Sequence, residues 1–231
     1  MLTILYPDVQ DAVSATGVYA PQHDSQLLIE AMTRSGAVTG RKVLDLCTGS
    51  GAVAIAAAQL GAGDVTAFDI CPQAVEYATS NAAQAGVRID ARVGMWVDAF
   101  VAGPYDVVVS NPPYVPTGPD ADLESIPLEV GPPTAWNAGL DGREVLNPLC
   151  DNAPELLTAG GTILIVQSEL ADTDQSLRRL RSGGLRAEVV LSQLIPFGPV
   201  LRARAAWMES IGMLPVGRRE EELVVIRAEK R

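Results

Sequence analysis

The sequence predicts a doubly wound α/β domain, and three observations point to it. From residue 41 onward, short apolar runs alternate with helical patterns. One run, GTILIV at 161–166, is apolar almost throughout, as a strand covered on both faces must be. The first run feeds a glycine-rich turn, LDLCTGSGAVAIA at 44–56, that opens straight into a helix. Repeated β-α-β units of this kind build a mainly parallel sheet with right-handed crossovers.

The elements follow in order. VYAPQHDSQLLIEAM (18–32) reads as a turn feeding a helix, with Asp24 or Ser25 as its cap and Leu27, Leu28 and Ala31 facing inward. KVLDL (42–46) is a strand, and GAVAIAAAQLG (51–61) a small-residue helix closed by Gly61. DVTAFDI (64–70) is the next strand. PQAVEYATSNAAQAG (72–86) follows as a helix with Pro72 in its first turn and Gly86 at its end. RIDARV (88–93), YDVVVS (105–110) and GTILIV complete the middle of the sheet. ADTDQSLRRLRSGG (171–184) is a helix with Asp172 and Gln175 at capping-box spacing and glycine at its end. RAEVVL (186–191) and EELVVIRA (221–228) bring the strands to seven. Residues 112–142, rich in proline and glycine, read as a long binding loop rather than a domain boundary. The chain is therefore expected to be a single domain over 1–231, with a segment 1–40 ahead of the sheet and an insertion at 194–217 before the last strand.

Composition narrows the function. The chain has 231 residues, 48% of them hydrophobic, enough for a sizeable core. No apolar run reaches the roughly 18 residues that span a bilayer. The start, MLTILYPDVQ, lacks a basic region and meets Asp8 too early for a signal peptide. Cys47, Cys71 and Cys150 lie far apart, which suggests reduced thiols and a cytoplasmic location. His23 is the only histidine, which argues against a histidine metal site or a catalytic triad, and no metal is expected. Net charge is −11, made up of −14 in residues 1–170 (6 basic, 20 acidic) and +3 in residues 171–231 (11 basic, 8 acidic). An acidic body disfavours free nucleic acid, although Arg178, Arg179, Arg181 and Arg186 form a local basic run.

Ligands on such sheets bind beyond the carboxyl ends of the strands, where strand order reverses. Two strand ends matter here, at Asp45 and at Asn111. Gly49 and Gly51 let backbone approach a ligand closely. The loop satisfies the dinucleotide pattern G-x-G-x-x-A, and Asp69 follows Gly49 by 20 residues, where a ribose-binding acid belongs. It lacks the Lys-Ser/Thr of a phosphate loop and the outer glycines of a nucleophile elbow. Asp45 separates the two remaining cofactors: its carboxylate repels a pyrophosphate but attracts the ammonium group of S-adenosylmethionine.

The stretch VVVSNPPYVPTG (107–118) supplies the chemistry. An amide or exocyclic amino nitrogen is a weak nucleophile because its lone pair is delocalised. The side-chain oxygen of Asn111 and the backbone carbonyl of Pro112 provide two acceptors for the two hydrogens of such an NH₂ group. Pro113 holds its neighbour extended, and neither proline has an N–H to compete for those oxygens. Tyr114 offers a flat face for a planar amide or base. Such an arrangement works by alignment and needs no ionisable base.

DLCTGSG, AFDI and VVVSNPPYV together resemble the class I S-adenosylmethionine-dependent methyltransferases of the HemK/PrmC type, in their short form. The similarity runs from VYAPQHDSQLL through AWNAGLDGREVL to EELVVIRA. The resemblance implies a Rossmann-like sheet with an antiparallel last strand and N5-methylation of the glutamine in the Gly-Gly-Gln loop of a peptide-chain release factor. It also implies a small zinc-binding activator as partner. The other chemistry open to the motif is N6-adenine or related amino methylation of nucleic acid. By position, Ser25 and Asp45 lie near the methionyl end, Cys47, Thr48, Gly49 and Gly51 wrap it, Asp69 binds the ribose hydroxyls, and Ile70 also touches the cofactor. Met95 and Trp96 flank adenine. Met95 stands where the family usually has an aspartate, and Asp98 is the candidate to compensate. The segment IPFGPVLRARAAWMESIGMLPVG (195–217) is longer than the short enzymes carry there, with Leu201, Ala205, Met208 and Ile211 as a helical apolar stripe over the substrate entrance.

Overall fold

The computed structural model describes residues 22–120, 126–127 and 130–231. The expected N-terminal segment lies outside the described residues as far as residue 21, as does the middle of the 112–142 loop. The elements are α1 (His23–Ser35), β1 (Lys42–Leu46), α2 (Ala52–Gln59), β2 (Asp64–Asp69), α3 (Pro72–Gln84), β3 (Asp90–Val93) and α4 (Trp96–Ala102). They continue as β4 (Tyr105–Ser110), α5 (Leu146–Leu156), β5 (Leu157–Ser168), α6 (Thr173–Ser182), β6 (Arg186–Pro196), α7 (Pro199–Ser210) and β7 (Glu220–Glu229).

The seven strands form one sheet in the order β3-β2-β1-β4-β5-β7-β6. Six run parallel, and β7 runs antiparallel to both of its neighbours, β5 and β6. Val43, Leu44, Val107, Val108, Val109 and the run Ile163–Val166 are buried, which explains their unbroken apolar character. Contacts group α1, α2 and α3 in one layer and α4, α5 and α6 in another. Strand order reverses between β1 and β4, whose ends are paired at Leu46 and Ser110. The Ser110 hydroxyl donates to the Leu46 carbonyl at 2.9 Å and stitches the two ends together.

Several local expectations change. Gln22 is the N-cap of α1, so neither Asp24 nor Ser25 caps it; both lie inside the first turn and turn inward. Asp172 caps α6 by accepting from the Gln175 amide, but the Gln175 side chain reaches Asn147 instead of closing the box. β6 runs on to Pro196, so the insertion begins after the strand rather than at 194. Within it, Leu201, Ala205 and Met208 are buried while Ile211 is 53% exposed, because α7 ends at Ser210. Two helices escaped the sequence reading. Pro148 and Pro154 disguise α5, and α4 is only seven residues long. Three of the four arginines of the basic run are paired: Arg178, Arg179 and Arg186 meet Asp172, Asp151 and Glu229, while Arg181 donates to the Ala187 carbonyl.

Candidate active site

At the switch between β1 and β4 opens a cavity of ≈ 680 Å³, in the size range of small-molecule sites. Its wall divides into a half built from the ends of β1, β2 and β3 and a half built from the loop after β4.

The first half begins with the glycine turn. Cys47 and Gly49 both adopt positive φ, at 60° and 55°, which folds the chain back over the strand end. A Cβ at Gly49 would meet nothing within 4 Å, so this backbone borders open space that a ligand can fill. Asp69 holds the turn from β2: its Oδ2 accepts from the Gly49 amide and its Oδ1 from the Cys71 amide, each at 2.9 Å. Each carboxylate oxygen keeps a second lone pair for a hydroxyl. Ile70, Met95 and Trp96 add an apolar flank, with Met95 53% exposed on the cavity side of the chain.

Three expected contacts in this half are corrected. Asp45 does not line the cavity. It is 1% exposed, and its Oδ2 accepts from the Thr48 hydroxyl at 2.6 Å and the Ala54 amide at 3.1 Å, so it braces the turn from behind. Burial pushes its carboxyl up to about 7. Gly51 does not wrap a ligand either. A Cβ there would strike Ala78 at 2.9 Å, so its role is the close approach of α2 to α3. Asp98 does not line the cavity; it faces its own helix start, where its Oδ2 accepts from the Met95 amide at 2.7 Å. Cys47 remains an inert thiol, pushed up to about 12 by burial and by the nearby acids Asp69 and Asp45.

The second half is the Asn-Pro-Pro-Tyr turn and its supports. Asn111 Nδ2 donates to Ser25 Oγ at 3.2 Å, across 86 positions of sequence. Its Oδ1 carries no hydrogen bond to the described residues, nor does the carbonyl of Pro112. Tyr114 is 9% exposed, and its hydroxyl donates to Asp24 Oδ2 at 3.2 Å. The first turn of α1 thus grips the turn at both ends, at Asn111 and at Tyr114. Behind it the chain returns as a second limb: Val115 pairs with Asn137, and Trp136 joins the cavity wall.

Sequence reasoning missed three supports of this half, Gly142, Arg143 and Arg204, and one buried acid, Glu221. Gly142 sits at φ 73°, where any Cβ would come within 2.4 Å of the Tyr114 carbonyl, so only glycine lets the returning chain pass. Next to it, buried Arg143 donates to Asn147 Oδ1, Ser176 Oγ and the carbonyls of Ala171 and Asp172, pinning the limb to the start of α6. Arg204 comes from α7. Glu221 is a buried acid on β7 whose Oε2 has no hydrogen-bond partner among the described residues, and burial chiefly pushes its carboxyl up to about 7. The glycine-arginine pair was legible as part of AWNAGLDGREVL; Arg204 and Glu221 carry no local signal.

Comparison with known proteins places this geometry. The family model for ribosomal protein L11 methyltransferase (PrmA) matches residues 23–112. A Methanocaldococcus jannaschii protein, provisionally named a protein N5-glutamine methyltransferase, is 34% identical over 182 residues, covering 78% of this chain and 87% of its own. The release factor glutamine methyltransferases of Bordetella pertussis and Geobacter sulfurreducens are 38% and 35% identical over 73% and 67% of this chain. The chain spans only 63% and 55% of their lengths. Among solved structures, the E. cuniculi Mtq2–Trm112 complex, responsible for methylation of the eRF1 translation termination factor, superposes with a TM-score of 0.61 at 23% identity, over 94% of this chain and 100% of that one. The ribosomal protein L11 methylase of Lactobacillus delbrueckii subsp. bulgaricus gives 0.58 at 20%, over 92% and 82%. These structural likenesses establish a class I methyltransferase fold, and the sequence relatives establish the family. The chain belongs to the protein N5-glutamine methyltransferase family, in which the release factor glutamine methyltransferases stand.

Proposed function

We propose that this chain transfers a methyl group from S-adenosylmethionine to the side-chain amide nitrogen of a glutamine, in the Gly-Gly-Gln loop of a peptide-chain release factor. The observation that carries the reading is the Asn111–Ser25 hydrogen bond, which turns the amide nitrogen of Asn111 toward α1 and leaves its oxygen, like the carbonyl of the next residue, Pro112, without a hydrogen bond to the described residues. A primary amide presents two hydrogens, and two neighbouring oxygens accept both. That holds the nitrogen in place and returns electron density to it.

The cofactor half fits the donor. The Gly49 backbone leaves room for the methionyl part, Asp69 has lone pairs for the ribose hydroxyls, and Ile70, Met95 and Trp96 provide an apolar slot for the base. S-adenosylmethionine, when bound, supplies an electrophilic methyl on a sulfonium. The remaining work is done by the chain. Asn111 and Pro112 orient the acceptor nitrogen, Tyr114 closes one side of it, and the substituted nitrogen gives up its proton to water. Alignment at about 3–3.5 Å is the main contribution to rate. Relatives named for glutamine methylation and for release factors support the choice of acceptor. The pairing of Mtq2 with Trm112 supports a small activator subunit as partner. Cytoplasmic action goes with such an acceptor; no helix among the described residues is long and apolar enough to cross a membrane.

The test offers methyl-labelled donor to the chain with a release factor, the same factor with its Gly-Gly-Gln glutamine changed to alanine, and total RNA, with and without an activator subunit. Label on the intact factor alone, mapped by mass spectrometry to that glutamine, is the expected result. Label confined to RNA refutes the reading.

A further inference from the structure

The Asn-Pro-Pro-Tyr turn is held on its inner side by α1. Its outer side is held by a residue far along the chain. Arg204 is 1% exposed, in the middle of α7. Its Nη1 donates to the Pro116 carbonyl at 2.8 Å and to Thr117 Oγ1 at 3.2 Å; its Nη2 donates to Asn137 Oδ1 at 2.6 Å. Pro116 and Thr117 lie on the outgoing limb, two and three residues beyond Tyr114, and Asn137 lies on the returning limb. The limbs are laced together by Val115 N to the Trp136 carbonyl at 3.0 Å, Ala138 N to the Val115 carbonyl at 3.2 Å, and Thr117 N to the Gly139 carbonyl at 2.8 Å. One turn of helix further on, Trp207 lies against Gly118, where a Cβ would meet the indole at 2.9 Å.

We propose that Arg204 is a positioning residue for methyl transfer: from α7 it clasps both limbs of the loop and so fixes the acceptor oxygens of Asn111 and Pro112 relative to the donor. The proposal rests on the reading of that turn as the amide site. A guanidinium suits the task because its planar fork addresses several oxygens at fixed angles from two nitrogens, whereas a lysine ammonium carries its three donors on one freely rotating nitrogen and lacks that fork. No residue of α7 lines the cavity, so Arg204 touches neither cofactor nor acceptor, and its influence passes through the limbs. The cofactor half, built on β1, β2 and β3, shares none of these contacts. Loss of the clasp therefore separates turnover from cofactor binding.

Two measurements on Arg204→Ala and Arg204→Lys test this, with the wild-type chain alongside. The first is hydrogen exchange at the amides of Val115, Thr117 and Ala138. We expect exchange at least tenfold faster in both variants, while the amides of β1 and β2 are unchanged. The second is steady-state transfer to a release factor. The expected result is a kcat reduced about 30- to 100-fold in Arg204→Ala, as for a displacement of about 1 Å, with the dissociation constant for S-adenosylmethionine within twofold of wild type. Arg204→Lys, the milder change, covers the case in which alanine unfolds the chain, and it is expected to lose at least fivefold in kcat without a change in cofactor affinity. Unchanged exchange in the limbs overturns the clasp whatever the acceptor proves to be. So does a wild-type kcat in Arg204→Lys, or a kcat loss matched by an equal loss of cofactor affinity. If the wild-type chain itself fails to methylate the factor, the acceptor assignment falls, and the exchange measurement still decides the clasp.

Discussion

Tyr114 and Asp24 lie 90 positions apart in sequence, yet the tyrosine hydroxyl meets the aspartate carboxylate at 3.2 Å and closes the acceptor turn against the first helix. With the Asn111–Ser25 bond beside it, the turn is tied down by two consecutive residues of one helical turn. Tyr114→Phe keeps the ring and removes one tie. Losing a hydrogen bond to a buried charged group costs about 1–3 kcal/mol, so thermal denaturation should begin at lower temperature. The looser turn should also lower kcat about tenfold while calorimetric cofactor affinity holds. Equal activity in wild type and variant would show that the bond is irrelevant to the reaction.

Asn111→Ala removes one of the two acceptors. Deleting one preorganised hydrogen-bonding group at a reaction centre typically costs about 10²–10³ in kcat. That range is the expectation here, with cofactor binding changed no more than threefold. Asn111→Asp tests the geometry more finely. It keeps an acceptor oxygen but puts a second oxygen where the N–H to Ser25 was and adds a negative charge, so the tie must reverse its direction, and recovery of activity should be small. Single-turnover rates with saturating donor provide the measure.

Gly49 and Gly51, separated by Ser50, belong to one pattern and have different duties. Gly51→Ala adds a Cβ at φ 84° and drives it to 2.9 Å from Ala78, so an overpacking cost of about 1–3 kcal/mol comes on top of the left-handed strain of about 1–2 kcal/mol. Gly49→Ala meets no neighbour and should cost only the left-handed strain of about 1–2 kcal/mol. The Gly49 variant, in contrast, puts a methyl into the cavity and should weaken S-adenosylmethionine binding at least tenfold. Melting curves taken with and without donor distinguish them. The donor should stabilise the Gly51 variant normally and the Gly49 variant poorly.

Glu221 gives a pH prediction with a definite sign. Burial holds its folded carboxyl near 7, against an ordinary value of 4.5 in the unfolded chain. A raised carboxyl favours the folded state while protonated, so that advantage is present below about 4.5 and disappears as pH rises through 7. The surrounding charges are Asp24 and Glu169, which push in the same direction, and Arg218, which opposes them. Glu221→Gln removes the ionisation. Urea denaturation should find the variant more stable than wild type by about 3 kcal/mol at pH 8, in line with about 1.4 kcal/mol per pKa unit, with the gain vanishing near pH 4.5. A gain of the same size at both pH values would mean that the effect is not ionisation.

The sheet and the acceptor turn were readable because their signals are local. β-branched residues packed on both faces mark Val107–Val109 as buried, and Asn111 to Tyr114 are neighbours along the chain. What sequence could not supply is the partner each side chain finds. Asp45 sits where a ligand-facing acid belongs, yet the Thr48 hydroxyl and the Ala54 amide, both local, take its carboxylate first. Glu221 stands between Glu220 and Glu222 and looks like any solvated acid, but strand alternation turns it alone inward. Arg204 reads as one of several arginines, and its acceptors on the loop lie 67 to 88 positions away. Such pairings are decided by tertiary closure, which no short-range pattern encodes.

The position of β7 bears on how the chain is made. Of the seven strands of this sheet β7 is made after the other six, and it enters between β5 and β6, so until it emerges those two strands have no ladder joining them. On the ribosome the nascent chain would carry two open edges, the kind that templates association with other chains. The β1–β4 crevice can assemble earlier, but the outer part of the sheet cannot. The growing polypeptide is therefore exposed to self-association in the interval before residues 220–229 have emerged from the ribosome.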